Sequence, residues 1–475
     1  MASRTGQGFH SVTDDIVHNI LGRLQAVSFA SAACVSKYWN RICSQILSHP
    51  KLASALSLNP NLTLAAGEVL DKVLSKPIRP HFAIACTGDI LGLKIVDHLI
   101  RERVGRRTPV ITHASSGVIG RDVPNKEVRE VKWGSSAYDG PHPVERNIYG
   151  NINPGIVLVV GFVPGLKVDA DTFTTEKKDH ALPKETAIVG DGGGCFLFRS
   201  QNYPISYSSP SYSFDAVALV FARDKNKSQD IGETQFHVLM SAGLMPFGPQ
   251  LEVVSIKVEE DEQSWLSARM EGDNAILDGQ AILEDINEVV DNSSELYIGV
   301  TQQRQYSNGS EKMTMALYEV MEGENEYFVV DGVGIEPGDS FLFYHPDLET
   351  ASTTRDIALE NLEVLKADII SRNNFCLSEA DNDEPKGVFG GLIFSCHSRG
   401  KSFFEEDNVD SSPFYLNFPG VPLAGAFCHG EIGRGSSSSI EEVEGQEQCP
   451  PHCCLHACSS VYLVLAYIPA APSQE

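Results

Sequence analysis

Six potential metal ligands crowd one short stretch near the end of this chain: Cys449, His452, Cys453, Cys454, His456 and Cys458. Thiolates and imidazoles are the donors zinc takes, four at a time in a tetrahedron. No C-x-x-C pair is present, and structural zinc sites usually draw a second pair of ligands from elsewhere in the chain. Two readings therefore stand, a zinc site and a thiol-rich loop that enters a strand with buried cysteines. Zinc is the one cofactor that the sequence raises.

Two Cys-His dipeptides, Cys396-His397 and Cys428-His429, suggest nucleophilic chemistry, because a thiol needs a base to take its proton. Neighbours on a strand point to opposite faces, so any working pair would be crosswise, Cys396 with His429 or Cys428 with His397. Buried structural thiols are the simpler expectation, and no catalytic residue is assigned. Arg399 and Glu431 each follow an apolar strand at a loop mouth, where ligand-contacting residues concentrate. Arg399 could hold a carboxylate through two parallel bonds, and Glu431 could hold an ammonium. The alternative is a structural ion pair between Arg399 and Glu431. The run Gly190-Asp191-Gly192-Gly193-Gly194 lacks the Lys-Ser/Thr of a phosphate-binding loop and precedes a strand, so it reads as a tight turn.

Composition narrows the partners. The 475 residues leave room for about two to four domains. A net charge of −26 repels nucleic-acid phosphates and anionic membranes, so neither is an expected partner. The opening residues lack the apolar core of a signal peptide. The 11 cysteines are an odd number, mostly set in apolar runs. These features predict a reducing compartment, cytoplasmic and/or nuclear.

The elements that must position these side chains are mixed. The spacing predicts helices over 93–104, 275–290 and 353–370. Short apolar runs bounded by Gly, Pro or Asp predict strands, among them 81–86, 155–162, 251–256, 296–300, 391–396, 423–427 and 461–468. Residues 52–79 read as a helical linker, the acidic stretch 259–262 as a domain boundary, and 435–448 as a disordered Ser/Glu-rich insert. The fold class expected is α+β / α/β, a small three-helix unit followed by a large mixed-sheet body in two halves, 80–262 and 263–470. No leucine-rich repeat period runs through the chain.

The N-terminal unit has its own pattern. Ile16, Ile20 and Leu24 recur every four residues beside Val17 and Leu21, with Thr13 placed as a cap and Asp14 and Asp15 in the first turn. Trp39, Ile42, Cys43, Ile46 and Leu47 share one face of a later helix that Ser36 can cap. Val12, Asp15, Ile16, Ile20, Leu21, Leu24 and the run Val35-Ser36-Lys37-Tyr38-Trp39 resemble an F-box over 9–51. The usual Leu-Pro opening is Val12-Thr13 here, and Gln25 stands where a Pro commonly follows Leu24. The resemblance implies binding to a Skp-type adaptor through Val12, Ile16, Ile20, Leu21, Leu24 and Trp39, and through it to a cullin ligase.

The body carries a second resemblance. The segment Gly391-Leu392-Ile393-Phe394-Ser395-Cys396-His397-Ser398-Arg399-Gly400 and the segment Pro422-Leu423-Ala424-Gly425-Ala426-Phe427-Cys428-His429-Gly430-Glu431-Ile432-Gly433 are similar to landmarks of the FIST family of intracellular signal-transduction domains. Ser115-Ser116-Gly117-Val118-Ile119-Gly120 and Gly161-Phe162-Val163-Pro164-Gly165 agree more loosely. Together the resemblances imply a non-catalytic substrate-receptor subunit of an SCF-type ubiquitin ligase acting on an unknown protein substrate. The second implied class is a sensory domain for an amino-acid-like ligand, with Arg399, His429 and Glu431 as contacts.

Overall fold

The computed structural model describes residues 13–88, 92–133, 155–173, 186–200, 206–207, 216–228, 230–259, 263–290, 295–305, 311–374, 387–434 and 454–470. Three short helices come first: α1 (Asp14–Leu21), α2 (Ala26–Ala33) and α3 (Lys37–Ile46). Ser36 caps α3 by accepting a hydrogen bond from the Trp39 amide at 3.2 Å. Thr13 is the N-cap residue of α1, but its side chain makes no capping bond. Val17, Leu21, Phe29, Ala32, Ile42 and Cys43 form the core of this unit.

The chain then enters the body without a helical linker. Residues predicted as helix open with strand β1 (Lys51–Ser57), which lies antiparallel to β6 (Ile156–Phe162), and only afterwards form α4 (Leu62–Val73). Leu52 and Leu56, four residues apart, share one face in a helix and also in a strand, so their spacing does not separate the two. In the fold both pack into one core, while Ala55 faces another.

Two six-stranded sheets make the centre. The first has the order β1-β6-β2-β3-β9-β10, with β2 (Phe82–Thr87), β3 (Val110–Ala114), β9 (Phe196–Arg199) and β10 (Ser206–Tyr207). The second has the order β12-β23-β19-β20-β4-β5. Its strands are β4 (Gly117–Arg121), β5 (Val128–Lys132), β12 (Glu233–Ser241), β19 (Val388–Cys396), β20 (Leu423–Cys428) and β23 (Ser460–Ile468). Leu52, Phe82 and Val157 of the first sheet meet Leu392, Ala426 and Leu463 of the second. The outer face of the first sheet packs on α4 and α5 (Leu93–Val104). The outer face of the second packs on α7 (Leu348–Asn374) and α9 (Ser412–Asn417), with α8 (Lys401–Phe404) between β19 and α9. The result is four layers, helix, sheet, sheet, helix, each sheet buried on both faces as its apolar runs require.

Three smaller units complete the body. Strands β7 (Leu166–Phe173) and β11 (Ala216–Arg223) pair alone, and β8 (Ile188–Asp191), β21 (Glu431–Arg434) and β22 (Cys454–His456) form a three-stranded sheet. Six strands between Leu244 and Pro346 make a closed barrel. Its strands are β13 (Leu244–Val258), β14 (Gln263–Met270), β15 (Tyr297–Gln305), β16 (Glu311–Glu324), β17 (Tyr327–Asp331) and β18 (Ser340–Pro346). Helix α6 (Gly279–Val289) lays Leu283, Ile282 and Ile286 against the barrel core.

This arrangement revises the expected halves. The acidic stretch 259–262 falls between the paired strands β13 and β14 of the barrel. The second large sheet draws strands from 117–132, 233–241 and 388–468, so the halves share one sheet system. A single sequence shows no such pairing, because it is set by contacts far apart in the chain. The insert at 435–448 lies outside the described residues.

Candidate functional site: an exposed apolar helix face and a polar strand-end cluster

On α1 the two apolar faces separate. Val17 and Leu21 turn inward, whereas Ile16 and Ile20, one turn apart, are 53% and 50% exposed. Leu21 is 1% exposed, so it is a core residue of the unit and not part of a contact surface. Leu24 and Trp39 are half-buried against the same core. Val12 lies outside the described residues. Val27 and Val35 are exposed as well. Ile16 and Ile20 thus form an exposed aliphatic pair on one side of α1.

Helix α1 is tied to α3 at the surface. Tyr38 Oη donates to Asp14 Oδ1 at 2.7 Å, and Arg41 reaches Asp14 Oδ2 at 3.1 Å. The three-helix unit is also fixed to the body. The Ala26 amide donates to the Leu74 carbonyl at 3.0 Å, Ala26 joins the core beneath α4, and His49 meets the Tyr467 ring edge-on at 5.6 Å.

The second candidate lies where parallel strands end. The pairs β2/β3 and β19/β20 run parallel, and their C-terminal ends meet: the Ser116 amide donates to the Phe427 carbonyl at 3.1 Å, and the His397 amide to the Cys428 carbonyl at 2.8 Å. Such ends are where open α/β sheets place ligands. The glycine run supplies a tight turn here, as predicted. Asp191 Oδ1 accepts from the Gly193 amide at 2.9 Å, and Gly194 takes φ +100°. Asp191 also pairs with His113 at 3.2 Å.

Arg399 and Glu431 do not line an open pocket. Arg399 is fully buried and binds Asp410, not Glu431. Its Nη1 donates to the Cys458 carbonyl and its Nη2 to Ser241 Oγ, both at 3.1 Å, beneath the Phe404 ring. Glu431 is equally buried, and its Oε2 accepts from the Ser459 amide at 3.2 Å and from Ser459 Oγ at 2.8 Å. Burial pushes its carboxyl well above the ordinary range, which disfavours the charged form an ammonium would need. Asp410, missed in the sequence, follows an unremarkable acidic loop and carries no motif.

His429 is exposed, and its ring lies tilted by 35° against that of His397, with centroids 4.1 Å apart. His397 Nε2 pairs at 3.2 Å with Glu295, which leads into β15 of the barrel and also accepts from Tyr297 Oη at 2.6 Å. Burial opposes charge on His397, but Glu295 outweighs it and raises the imidazole above its ordinary value. Glu295 carries no signal in the sequence, because the barrel strand that leads from it is far from His397 in the chain.

The cysteines are poor nucleophiles in this setting. Cys396 and Cys428 are buried, and burial raises both thiols. Cys396 Sγ accepts from Ser398 Oγ at 3.1 Å. Of the C-terminal cluster, Cys449, His452 and Cys453 lie outside the described residues. Cys454 begins β22, His456 sits by the Gly433 carbonyl at 3.4 Å, and Cys458 is buried beside Arg399. Among the described residues, no group of three or more His, Cys, Asp or Glu could hold a metal ion.

Comparison with known proteins fits the exposed helix face. The F-box domain matches residues 9–51. An F-box/LRR-repeat protein of Arabidopsis thaliana is 34% identical, over 96% of this chain and 93% of its own length. This chain belongs to the F-box protein family. Two uncharacterized proteins of Mycobacterium tuberculosis, from strains CDC 1551 and H37Rv, are each 27% identical over 23% of this chain and 28% of theirs. The Arabidopsis relative is named for leucine-rich repeats, whereas the described body of this F-box protein is the four-layer sandwich and barrel above. No helix among the described residues is long and apolar enough to cross a membrane.

Proposed function

We propose that this F-box protein is the substrate-receptor subunit of an SCF-type cullin–RING ubiquitin ligase. It binds the Skp-type adaptor through Ile16 and Ile20, with Leu24 and Trp39 beside them, and selects a protein for degradation with its body. The observation that carries the reading is the F-box match at residues 9–51 coinciding with an exposed aliphatic pair on α1. The two side chains are already about half covered, so burying the rest contributes roughly 1 kcal/mol each. The direct passage from the F-box into β1 supports the same reading, since a ligase must hold its substrate at a set distance from the transferring enzyme.

The body is read as a FIST domain. Its two landmark segments supply the adjacent parallel strands β19 and β20, which supports the resemblance. The ligand-sensor reading is weaker, because Arg399 and Glu431 are engaged internally.

Affinity purification of the full chain from cells given a ligase-blocking agent, followed by mass spectrometry, tests the proposal. Adaptor, cullin and at least one accumulating substrate are expected together. Recovery of the chain without adaptor or cullin would overturn it.

A further inference from the structure

Lys and Arg are the minority charge of this chain, 37 against 63 Asp and Glu, yet residues 72–107 hold eight of them and only three Asp or Glu. Six of the eight, Lys72, Lys76, Arg79, Arg103, Arg106 and Arg107, are exposed and belong to one end of the first sheet.

Topology brings them together. Strands β2 and β3 are parallel neighbours, with Ala83 opposite Val110. The connections that enter them, 74–81 after α4 and 105–109 after α5, therefore arrive side by side. The Ala83 amide donates to the Pro109 carbonyl at 3.0 Å, and Thr108 Oγ1 to the Pro80 carbonyl at 3.3 Å. Arg103 pairs with Asp71 at 2.7 Å and so ties the two helix ends. The second connection is held in place: buried Arg199 donates through Nη2 to the Gly105 and Thr108 carbonyls, both at 2.6 Å. Gly105 takes φ +98° to turn the chain out of α5.

The helix dipole accounts for cations in a last helical turn, such as Lys72 and Arg103. Lys76, Arg79, Arg106 and Arg107 lie past the helices, in the connections. Elsewhere Arg129, Lys257, Arg372 and Lys401 each hold a carboxylate. Among the described residues Lys76, Arg79, Arg106 and Arg107 hold none. The acids of α5 and of the end of α4 are engaged: Asp71 by Arg103, Asp97 by Arg101 at 2.8 Å, and Glu102 beside His98 at 3.7 Å.

Such a surface complements an anion. Charges farther away than about 10 Å are largely screened at 0.1 M salt, so the local sign decides what docks. Arginine holds a carboxylate through two parallel bonds, and a connection already fixed loses little freedom on binding. We infer that this end of the first sheet is a docking surface for a carboxylate-rich segment of a protein partner. Nucleic acid or an anionic membrane would extend past the patch onto the surface of a chain with net charge −26. The patch begins where the F-box is fixed to the body, since Lys72 and Lys76 flank Leu74, whose carbonyl accepts from the Ala26 amide. The inference rests on the receptor reading for one point, that the partner is a ligase substrate.

The test uses the full chain and a labelled synthetic peptide of Glu-Asp-Ser repeats, read by fluorescence anisotropy. Companion probes are the same peptide with Lys for Glu and Asp, a short DNA duplex, and phosphatidylserine vesicles. The acidic peptide should bind. It should lose about tenfold or more of its affinity in Lys76→Gln/Arg79→Gln/Arg106→Gln/Arg107→Gln at unchanged melting temperature, and part of that in Arg106→Gln/Arg107→Gln. A control removing four exposed cations elsewhere, Arg129→Gln/Lys257→Gln/Arg372→Gln/Lys401→Gln, should stay within about twofold of the wild type. Equal loss in the patch and control variants would show a bulk charge effect and overturn the site. No binding by the wild type, equal binding of the Lys peptide, or unchanged binding in the patch variant would overturn it too. Tighter binding of DNA or vesicles, lost in the same variant, would overturn the protein partner. Adaptor binding, measured on the same proteins, should be equal in wild type and patch variant. Its loss in the variant would make the adaptor the occupant and overturn the substrate assignment. Its absence in the wild type would refute the receptor reading and leave the peptide result standing.

Discussion

Arg399 and Asp410 form an ion pair that no solvent reaches. Arg399 Nε and Nη2 both donate to Asp410 Oδ1, at 3.0 and 2.7 Å, while Oδ2 accepts from Ser395 Oγ at 2.8 Å. Tyr462 Oη closes the network by donating to the Asp410 carbonyl at 2.7 Å. This pair joins the loop after β19 to the start of α9, so it positions the strand ends and does not greet a ligand.

Removing one partner leaves a buried charge without compensation. Arg399→Ala or Asp410→Ala should each cost about 3–5 kcal/mol of body stability, read as a fall in the urea or thermal midpoint. Adaptor binding should survive at temperatures where the F-box remains folded. A variant that melts like the wild type would show that the pair is not structural.

Glu431 gives a pH signature. Its folded pKa is raised by burial, so the folded state keeps a proton that the unfolded state releases above its ordinary value of 4.5. Its contribution is therefore most favourable below that value and declines as pH rises toward the folded pKa. Glu431→Gln imitates the protonated carboxyl. It should leave the melting temperature little changed near pH 5 and raise it relative to wild type near pH 8. The opposite trend would mean that the carboxylate is ionised and paired.

His397 behaves differently because its folded pKa is raised by a partner. The pairing with Glu295 contributes below the ordinary histidine value of 6.5 and is lost as pH rises through the folded pKa. Glu295, whose carboxyl is lowered overall although burial opposes this, sets the other edge as pH falls below 4.5. Glu295→Gln should destabilise the joint between barrel and sheet most near pH 5.5–6, and least above pH 8. Hydrogen exchange around β15 reads this directly. Equal exchange in both proteins across that range would count against the joint.

On α1 neighbouring residues should separate by role. Leu21→Ala removes a buried side chain and should destabilise the F-box by about 2–5 kcal/mol. Ile16→Ser and Ile20→Ser alter exposed positions and should leave the helical signal and the melting of the unit near wild type. Matching stability losses at Leu21 and Ile20 would show that the two faces of α1 are not distinct.

Much of the framework was legible from local pattern. Helix α5 and strand β6 follow from short apolar runs with clear ends, and the capping of α3 by Ser36 follows from residue type. Strand β1 was not, because Leu52 and Leu56 satisfy both periods. The barrel was not, because closing β13 against β18 depends on pairing residues as distant as Leu244 and Pro346. For the same reason Arg399 was recognised as important but given the wrong partner. Its spacing to Glu431 is a sequence fact, whereas the position of Asp410 beneath it is made by the fold.

The most direct measurement is a titration of purified Skp-type adaptor into the full chain and its Ile16→Ser/Ile20→Ser variant by calorimetry. Saturable one-to-one binding by the wild type is predicted, with at least a tenfold loss in the variant, about 1.4 kcal/mol or more, at unchanged melting temperature. No binding by the wild type, or equal binding by both, would contradict the receptor assignment.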